Sequence, residues 1–153
     1  MAAIYIDADA CPVREETFRV ATRLNLLVHL VSNGSRPIRP SGLPNVRPVI
    51  VEARPDAADD WIAERIGPGD VCVTADIPLA DRCLKRGARA VSPTGHVWTE
   101  NNIGNALAGR ELARHLRELG VAGGQPSLSK ADRSRFLQAL DAAAVAAMRQ
   151  RPA

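Results

Sequence analysis

Short apolar runs alternate with amphipathic segments through the first two thirds of the chain. The first of these runs, residues 3–6, is continuously apolar, which is typical of a strand that is buried on both faces of a parallel sheet. The runs predict five strands, at residues 3–6, 26–31, 46–51, 71–74 and 88–91. Because strands that alternate with helices form a parallel sheet with helices on both faces, we expect an α/β fold with three layers.

The segments between these runs carry apolar residues at helical spacing. The first of them has one apolar face, formed by Val13, Thr17, Val20, Ala21 and Leu24. Pro12 suits the first turn of this helix, and Asn25 is expected to end it. Asp56 is expected to cap a second helix, and residues 79–86 predict a short third one.

Beyond Ser92 the pattern changes to helices without strands. Thr99 and Ser129 are expected to cap two helices there. The last helix carries an apolar stripe, at Phe136, Leu137, Leu140, Ala144, Val145 and Met148. Such a stripe predicts docking onto the sheet or onto a second copy of the chain, which would make a homodimer. We expect one domain over residues 1–153, with an α/β core at 1–95 and a helical extension at 96–153.

Composition narrows the class of protein. The chain has 153 residues, of which 46% are hydrophobic and 24% charged, as in globular domains. Aromatic residues make up 3%, which argues against a binder that stacks bases on rings. A net charge of +3 tolerates a polyanionic partner without requiring one. Three cysteines without CxxC spacing, no membrane-length apolar run and no leader pattern predict a cytoplasmic protein.

Aspartates gather at the ends of the predicted strands. Asp7 and Asp9 follow the first strand and Asp76 follows the fourth, while Asp59 and Asp60 lie in the helix between the third and fourth strands. In open parallel sheets, ligands bind at the carboxyl ends of the strands where the strand order reverses. If the order is 3-2-1-4-5, the first and fourth strands are neighbours at that point. Asp7, Asp9 and Asp76 would then meet, with Asp59 or Asp60 above them.

Carboxylates held close together repel one another, and a divalent cation removes that repulsion. Mg²⁺ and Mn²⁺ prefer oxygen ligands and retained waters. The pattern therefore predicts a metal site at Asp7, Asp9 and Asp76 that orients a water for attack on a phosphodiester. The other interpretation is helix capping, because aspartate is common at strand ends and in first helical turns. We favour capping for Asp56 and for one of the two acids at positions 59 and 60.

Several motifs resemble those of known families. The stretches "VCVTADIPLADRCLKRGARAVS" and "IYIDADACPV" are similar to strand ends of PIN-like nuclease domains, and "DAADDWIAERIGPGD" lies where those domains place an acidic helix. More narrowly, "IDADACPV", "TADIPLA" and "TENNI" resemble the bacterial YaiI/YqxD family, which is PIN-like in fold and uncharacterised in activity. The PIN-like resemblance implies a Mg²⁺- or Mn²⁺-dependent ribonuclease. Its catalytic acids would be Asp7, Asp60 or its neighbour Asp59, Asp76 and Asp81.

Two other functions remain open. The fold could carry a metal- or RNA-binding module without catalysis, since fold does not fix function. The opening "IYIDADA" also fits a haloacid-dehalogenase-type phosphatase, with Asp7 as nucleophile and Asp9 as acid and base. Such enzymes need a lysine upstream of their last acidic motif, whereas Lys85 and Lys130 both follow Asp76.

Polar loop residues at the same end of the sheet supply candidate nucleic-acid contacts. Arg36 and Arg39 follow the second strand, and Thr94 follows the fifth. Their position predicts contacts with the phosphate backbone of RNA. Cys11 lies beside the acids, and we interpret it as a small residue that fills the corner between strand and helix.

Overall fold

The structure is a computed structural model that describes residues 2–8, 11–34, 40–118 and 128–150, with the backbone alone for 110–118. These described residues form six strands and five helices. The strands are β1 (Ala3–Asp7), β2 (Leu27–Ser32), β3 (Val46–Ile50), β4 (Val71–Val73), β5 (Arg89–Val91) and β6 (Val97–Trp98). The helices are α1 (Arg14–Leu24), α2 (Ala57–Arg65), α3 (Ile77–Lys85), α4 (Glu100–Glu118) and α5 (Lys130–Gln150).

The strands form one sheet in the order β3-β2-β1-β4-β5-β6. The first five are parallel, and Ile4 of β1 pairs with Val28 of β2 on one side and with Val71 of β4 on the other. The predicted order is therefore confirmed, and it puts β1 and β4 side by side where the chain reverses direction across the sheet.

A sixth strand, β6, was not predicted. It runs antiparallel to β5, with Val97 opposite Val91. A tight turn joins the two strands, in which the backbone N–H of Ser92 donates to the carbonyl of His96 at 2.8 Å. Two residues are too few to show a strand periodicity, so the hydrophobic pattern predicts only a loop here.

Helices cover both faces of the sheet, as the three-layer α/β/α prediction requires. On one face, Ile4 and Ile6 share a core cluster with residues of α1 and α5. On the other face, Ala3 and Tyr5 share a cluster with residues of α2 and α3. Successive side chains of β1 thus alternate between two apolar cores, which is why the strand is apolar throughout. Helix α4 packs outside α3 through Ile103.

The apolar stripe of α5 docks onto the sheet. Phe136, Leu140 and Ala144 are fully buried in the same cluster as Ile4 and Ile6. This confirms the first of the two predicted docking surfaces for the stripe. Met148, at the end of the stripe, stays 42% exposed.

Three of the predicted helix ends are confirmed, whereas Pro12 precedes the N-cap residue of α1, Val13, and does not lie in its first turn. Asn25 ends α1 in a left-handed conformation, and the hydroxyls of Thr99 and Ser129 accept hydrogen bonds from backbone N–H groups three residues later. The capping prediction for Asp56 was wrong. Asp56 itself adopts a left-handed conformation (φ 66°), and its side chain makes no capping hydrogen bond to α2.

Among the described residues, none of the helices combines the length and apolarity that a membrane crossing requires.

Candidate acidic site

Buried polar side chains line the carboxyl ends of four neighbouring strands. Asp7 ends β1 and Ser32 ends β2, while Thr74 and Ser92 directly follow β4 and β5. Each is less than a tenth exposed, in a chain whose interior is otherwise almost entirely aliphatic. Polar groups are costly to bury without hydrogen-bond partners, so their concentration at one edge of the sheet marks that edge as the candidate site.

Thr74 connects the acid of the first strand to the acid that follows the fourth. Its hydroxyl donates to Oδ2 of Asp7 at 3.5 Å and accepts a hydrogen bond from the backbone N–H of Asp76 at 2.9 Å. The Asp76 side chain in turn accepts from the backbone N–H of Leu79 at 2.9 Å and so caps α3. Capping is therefore part of what Asp76 does, and it also fixes this carboxylate beside β1.

Asp59 of α2 lies within electrostatic reach of both acids. The pKa of its carboxyl is raised to about 7, first by burial and then by the negative charges of Asp76, Asp7 and Asp56, while Arg82 lowers it. A carboxylate whose pKa responds to the charges of Asp76 and Asp7 lies near both of them, in a partly buried region that we call the crevice. Asp7, Asp59 and Asp76 are thus the acids that the fold brings together.

Asp60, the other candidate for the helix acid, lies in a different environment. It accepts hydrogen bonds from Arg82 at 2.9 Å and from Arg54 at 3.3 Å, and these bonds hold the pKa of its carboxyl below the usual range. Neighbouring positions on a helix point about 100° apart, so only one of the two acids can face the crevice. The structure turns Asp59 toward the crevice and Asp60 toward the arginines.

The other predicted site residues are more scattered. Asp81 forms an ion pair with Lys85 at 2.8 Å along α3. Thr94 is exposed in the turn after β5, with its hydroxyl 2.9 Å from that of Ser92. Asp9, Arg36 and Arg39 lie outside the described residues.

Cys11 is buried close to the acidic edge. Burial raises the pKa of its thiol to about 12, so the neutral thiol dominates at physiological pH. This agrees with its interpretation as a small residue that fills the corner between β1 and α1.

The donor chemistry of the crevice suits a hard divalent cation, but the described side chains form no closed cage. Within the described ranges, no group of three or more histidine, cysteine or acidic side chains is close enough to hold a metal ion. Mg²⁺ commonly binds through one or two carboxylates, several waters and the phosphate of its substrate. The acids could supply one or two of the oxygen ligands of such a cation, and water and a phosphate would have to supply the rest.

Comparison with known proteins assigns the chain to a family. The sequence profile described as "Uncharacterized BCR, YaiI/YqxD family" matches residues 5–146. The chain belongs to the YaiI/YqxD family. A UPF0178 protein of Rhodospirillum rubrum is 59% identical over 149 residues, which cover 97% of this chain and 99% of that protein. UPF0178 proteins of Parvibaculum lavamentivorans and Caulobacter vibrioides are 54% and 52% identical over 153 residues, or 99% of each chain.

Membership of the YaiI/YqxD family confirms the narrower of the two sequence resemblances. The family carries no assigned activity in its description, so it leaves the chemistry of the acidic edge open. No solved structure matches the chain.

Two features of the site were missed by the sequence analysis. Ser32 is 1% exposed, and its hydroxyl has no hydrogen-bond partner among the described residues. Its only signal in the sequence is a single polar residue at the end of an apolar run. Arg82 was missed because its effect on the two α2 acids depends on how α2 and α3 pack together.

Proposed function

We propose that this YaiI/YqxD-family chain is a divalent-metal-dependent phosphodiesterase that acts on RNA, with Asp7, Asp59 and Asp76 as its acids. The observation that carries the proposal is the response of Asp59 to the charges of Asp76 and Asp7 at the edge where β1 and β4 adjoin. A bound cation relieves the repulsion among three carboxylates and so lowers the free energy of the site. This gives the edge a preference for metal ions over other ligands.

Asp7 and Asp76 are the residues that would hold the cation. Asp7 is fixed by the strand and by Thr74, and Asp76 by its cap on α3, so neither has to be ordered when a ligand arrives. A bound Mg²⁺ or Mn²⁺ would polarise a phosphate oxygen and lower the pKa of a coordinated water. Asp59, on a separate helix, would orient that water or accept its proton.

RNA is the proposed substrate for two reasons. The PIN-like motifs of the sequence imply ribonuclease chemistry, and the net charge of +3 is compatible with a polyanion. Arg36, Arg39 and Thr94 remain the predicted contacts to its phosphate backbone.

Calorimetry with Mn²⁺ tests the metal part of the proposal. We expect the wild-type chain to bind Mn²⁺ and Asp7→Asn to bind it about tenfold more weakly or worse. Asp60→Asn is the matched control, because it removes a carboxylate that also lies on α2 but faces Arg82 and Arg54. This variant should bind Mn²⁺ as the wild type does. Absence of Mn²⁺ binding by the wild type, with and without a short RNA, would refute the metal site.

Cleavage of labelled single-stranded RNA tests the catalytic part. We expect Mn²⁺-dependent turnover that Asp76→Asn abolishes and that Asp81→Asn leaves near the wild-type rate, because Asp81 pairs with Lys85 instead of facing Asp59. Turnover by Asp76→Asn at the wild-type rate would show that the nuclease chemistry lies elsewhere.

A second candidate function is a metal- or RNA-binding module without catalysis. It is favoured by the partners of two predicted catalytic acids, because Asp81 pairs with Lys85 and Asp60 pairs with Arg82. Mn²⁺ binding without cleavage of any RNA or DNA would identify this module. The phosphatase alternative gains no support, because Lys85 is occupied by Asp81 and Lys130 is exposed at the start of α5.

A further inference from the structure

Arg82 of α3 lies beside the acidic site and is held there by Asp60. Its Nη1 donates to Oδ1 of Asp60 at 2.9 Å, while Nη1 of Arg54 donates to Oδ2 of the same carboxylate at 3.3 Å. The charge of Arg82 also opposes the rise in the pKa of Asp59, which puts the guanidinium within electrostatic reach of the crevice. Asp60 therefore fixes a positive group next to the proposed catalytic acid of α2.

The donors of Arg82 that remain available are the pair that suits a phosphate. A guanidinium carries five N–H donors in a rigid plane. Asp60 uses Nη1, and among the described residues no acceptor is found for Nε or Nη2 of Arg82. The N–H groups of Nε and Nη2 point the same way, so they can donate in parallel to two oxygens of one phosphate. A phosphate could therefore bind Arg82 without displacing Asp60.

Arg82 is also accessible and keeps part of its positive charge. Its side chain is 45% exposed. Asp60 divides its negative charge between Arg82 and Arg54, and Arg54 has a second partner in Glu52 at 3.1 Å. The carboxylate of Asp60 thus orders the guanidinium of Arg82 and offsets only part of its charge. An ordered donor loses less conformational entropy when a ligand binds.

The acidic site needs a positive group at this position. A phosphodiester that approaches Asp7, Asp59 and Asp76 is repelled by their charges. A cation at Asp7 and Asp76 would offset the charges at the strand ends, whereas Asp59 lies on α2. Arg82 supplies positive charge beside α2, where the metal ion would not.

We propose that Arg82 binds a backbone phosphate of the RNA substrate through Nε and Nη2 while its Nη1 stays on Asp60. The inference rests on the proposed function, because it concerns how the same site holds its substrate. It adds one contact to those predicted at Arg36, Arg39 and Thr94. A phosphate contact positions the strand without reading its bases, so this one carries no sequence preference.

Binding of a fluorescein-labelled single-stranded oligouridylate tests the contact separately from catalysis. Fluorescence anisotropy is measured with Ca²⁺ in place of Mn²⁺, and a denaturing gel checks that the oligonucleotide stays intact. We expect Arg82→Gln to raise the Kd about tenfold, because one bidentate charged contact is lost. The slope of log Kd against log salt concentration should fall by about 0.7, as expected for one lost phosphate contact on a single strand. Wild-type affinity in Arg82→Gln would overturn the inference.

Arg65→Gln is the matched control for the loss of charge. Arg65 is the last residue of α2, at the other end of that helix from Asp60, and its side chain is 46% exposed. The variant loses the same charge as Arg82→Gln, and it should keep the wild-type Kd and salt slope. Equal losses in the two variants would assign the effect to the net charge of the protein and overturn the inference.

Arg82→Lys tests the two-point geometry. Lysine keeps the positive charge but replaces the planar pair of donors with a single ammonium group. We expect the salt slope of the wild type together with a Kd about three- to tenfold higher. Full affinity in Arg82→Lys would overturn the two-point contact. Circular dichroism checks the folding of each variant, and Arg82→Lys decides if Arg82→Gln does not fold.

Failure of the proposed function would give a different pattern of results. RNA binding that depends on Arg82, without Mn²⁺-dependent cleavage by the wild type, would leave the contact standing and refute the nuclease. Cleavage by the wild type with an unchanged KM in Arg82→Gln would leave the nuclease standing and overturn the contact. A wild-type chain that binds no RNA with either Ca²⁺ or Mn²⁺ would overturn both.

Discussion

Asp59 and Asp60, adjacent on the first turn of α2, lie in opposite electrostatic environments. Burial and the charges of Asp76 and Asp7 raise the pKa of Asp59 to about 7, while hydrogen bonds from Arg82 and Arg54 lower the pKa of Asp60. At neutral pH the carboxyl of Asp59 is therefore partly protonated, whereas that of Asp60 is ionised. The packing of α2 against β1 and α3 produces this difference.

Asp59→Asn should stabilise the protein at neutral and higher pH. The pKa of Asp59 rises from 3.8 to about 7 on folding, so its ionisation favours the unfolded chain. The destabilisation by the charge of Asp59 is absent below the pKa of the unfolded chain, 3.8. It grows as pH rises and is complete above the pKa of the folded chain, about 7. Thermal melts should therefore show the variant above the wild type at about pH 8 and level with it at about pH 4.

Asp60→Asn is the control for this prediction and should behave in the opposite way. Because the folded pKa of Asp60 is lowered, its charge stabilises the folded state above its unfolded pKa, and that stabilisation is lost as pH falls. The variant should melt at or below the wild-type temperature at about pH 8. A higher melting temperature for Asp60→Asn than for Asp59→Asn would contradict the assigned orientation of α2.

Thr74→Val should loosen the acidic site. The substitution keeps the shape of the side chain but removes the hydroxyl that accepts from the N–H of Asp76 and donates to Asp7. We expect a loss of about 1–3 kcal/mol in the free energy of unfolding, measured by urea denaturation. Thr74→Ser retains the hydroxyl and should recover most of the loss; equal losses in both variants would assign the effect to packing.

Gly95→Ala should destabilise the contact between the β5–β6 turn and α5. Gly95 has φ +91°, and a Cβ at this position would lie 2.7 Å from the carbonyl carbon of Arg135. We expect a loss of about 2 kcal/mol or more in the free energy of unfolding. Gly104→Ala in α4 is the control, since its Cβ meets nothing within 4 Å and alanine favours helix by about 0.5–1 kcal/mol.

Leu140→Ala should destabilise the chain as a core substitution does. Leu140 of α5 is fully buried against the sheet, so its truncation should cost about 2–5 kcal/mol. Met148→Ala, 42% exposed on the same helix, should cost much less.

Denaturation at two protein concentrations adds a test of the predicted homodimer, because a dimer held by α5 would unfold at a concentration-dependent midpoint.

Much of the fold can be predicted from local sequence. The apolar runs mark five of the six strands, and the observed order of the first five is the one assumed for an open parallel α/β sheet. Asn25, Thr99 and Ser129 end or begin helices through their own side chains or backbone, so their roles are readable locally. Asp56 breaks the pattern because the loop before α2 imposes a left-handed backbone there.

The sequence by itself determined the layered α/β fold, the family and the strand ends at which Asp7 and Asp76 lie. These features follow from the periodicity of apolar residues and from motifs whose residues lie close together in the chain. Only the tertiary structure decided that Asp59, and not Asp60, faces these two acids. That choice depends on the rotation of α2 against the sheet, which is set by packing with β1 and α3. It likewise decided that Arg89 and Trp98, nine positions apart on antiparallel strands, line one cavity.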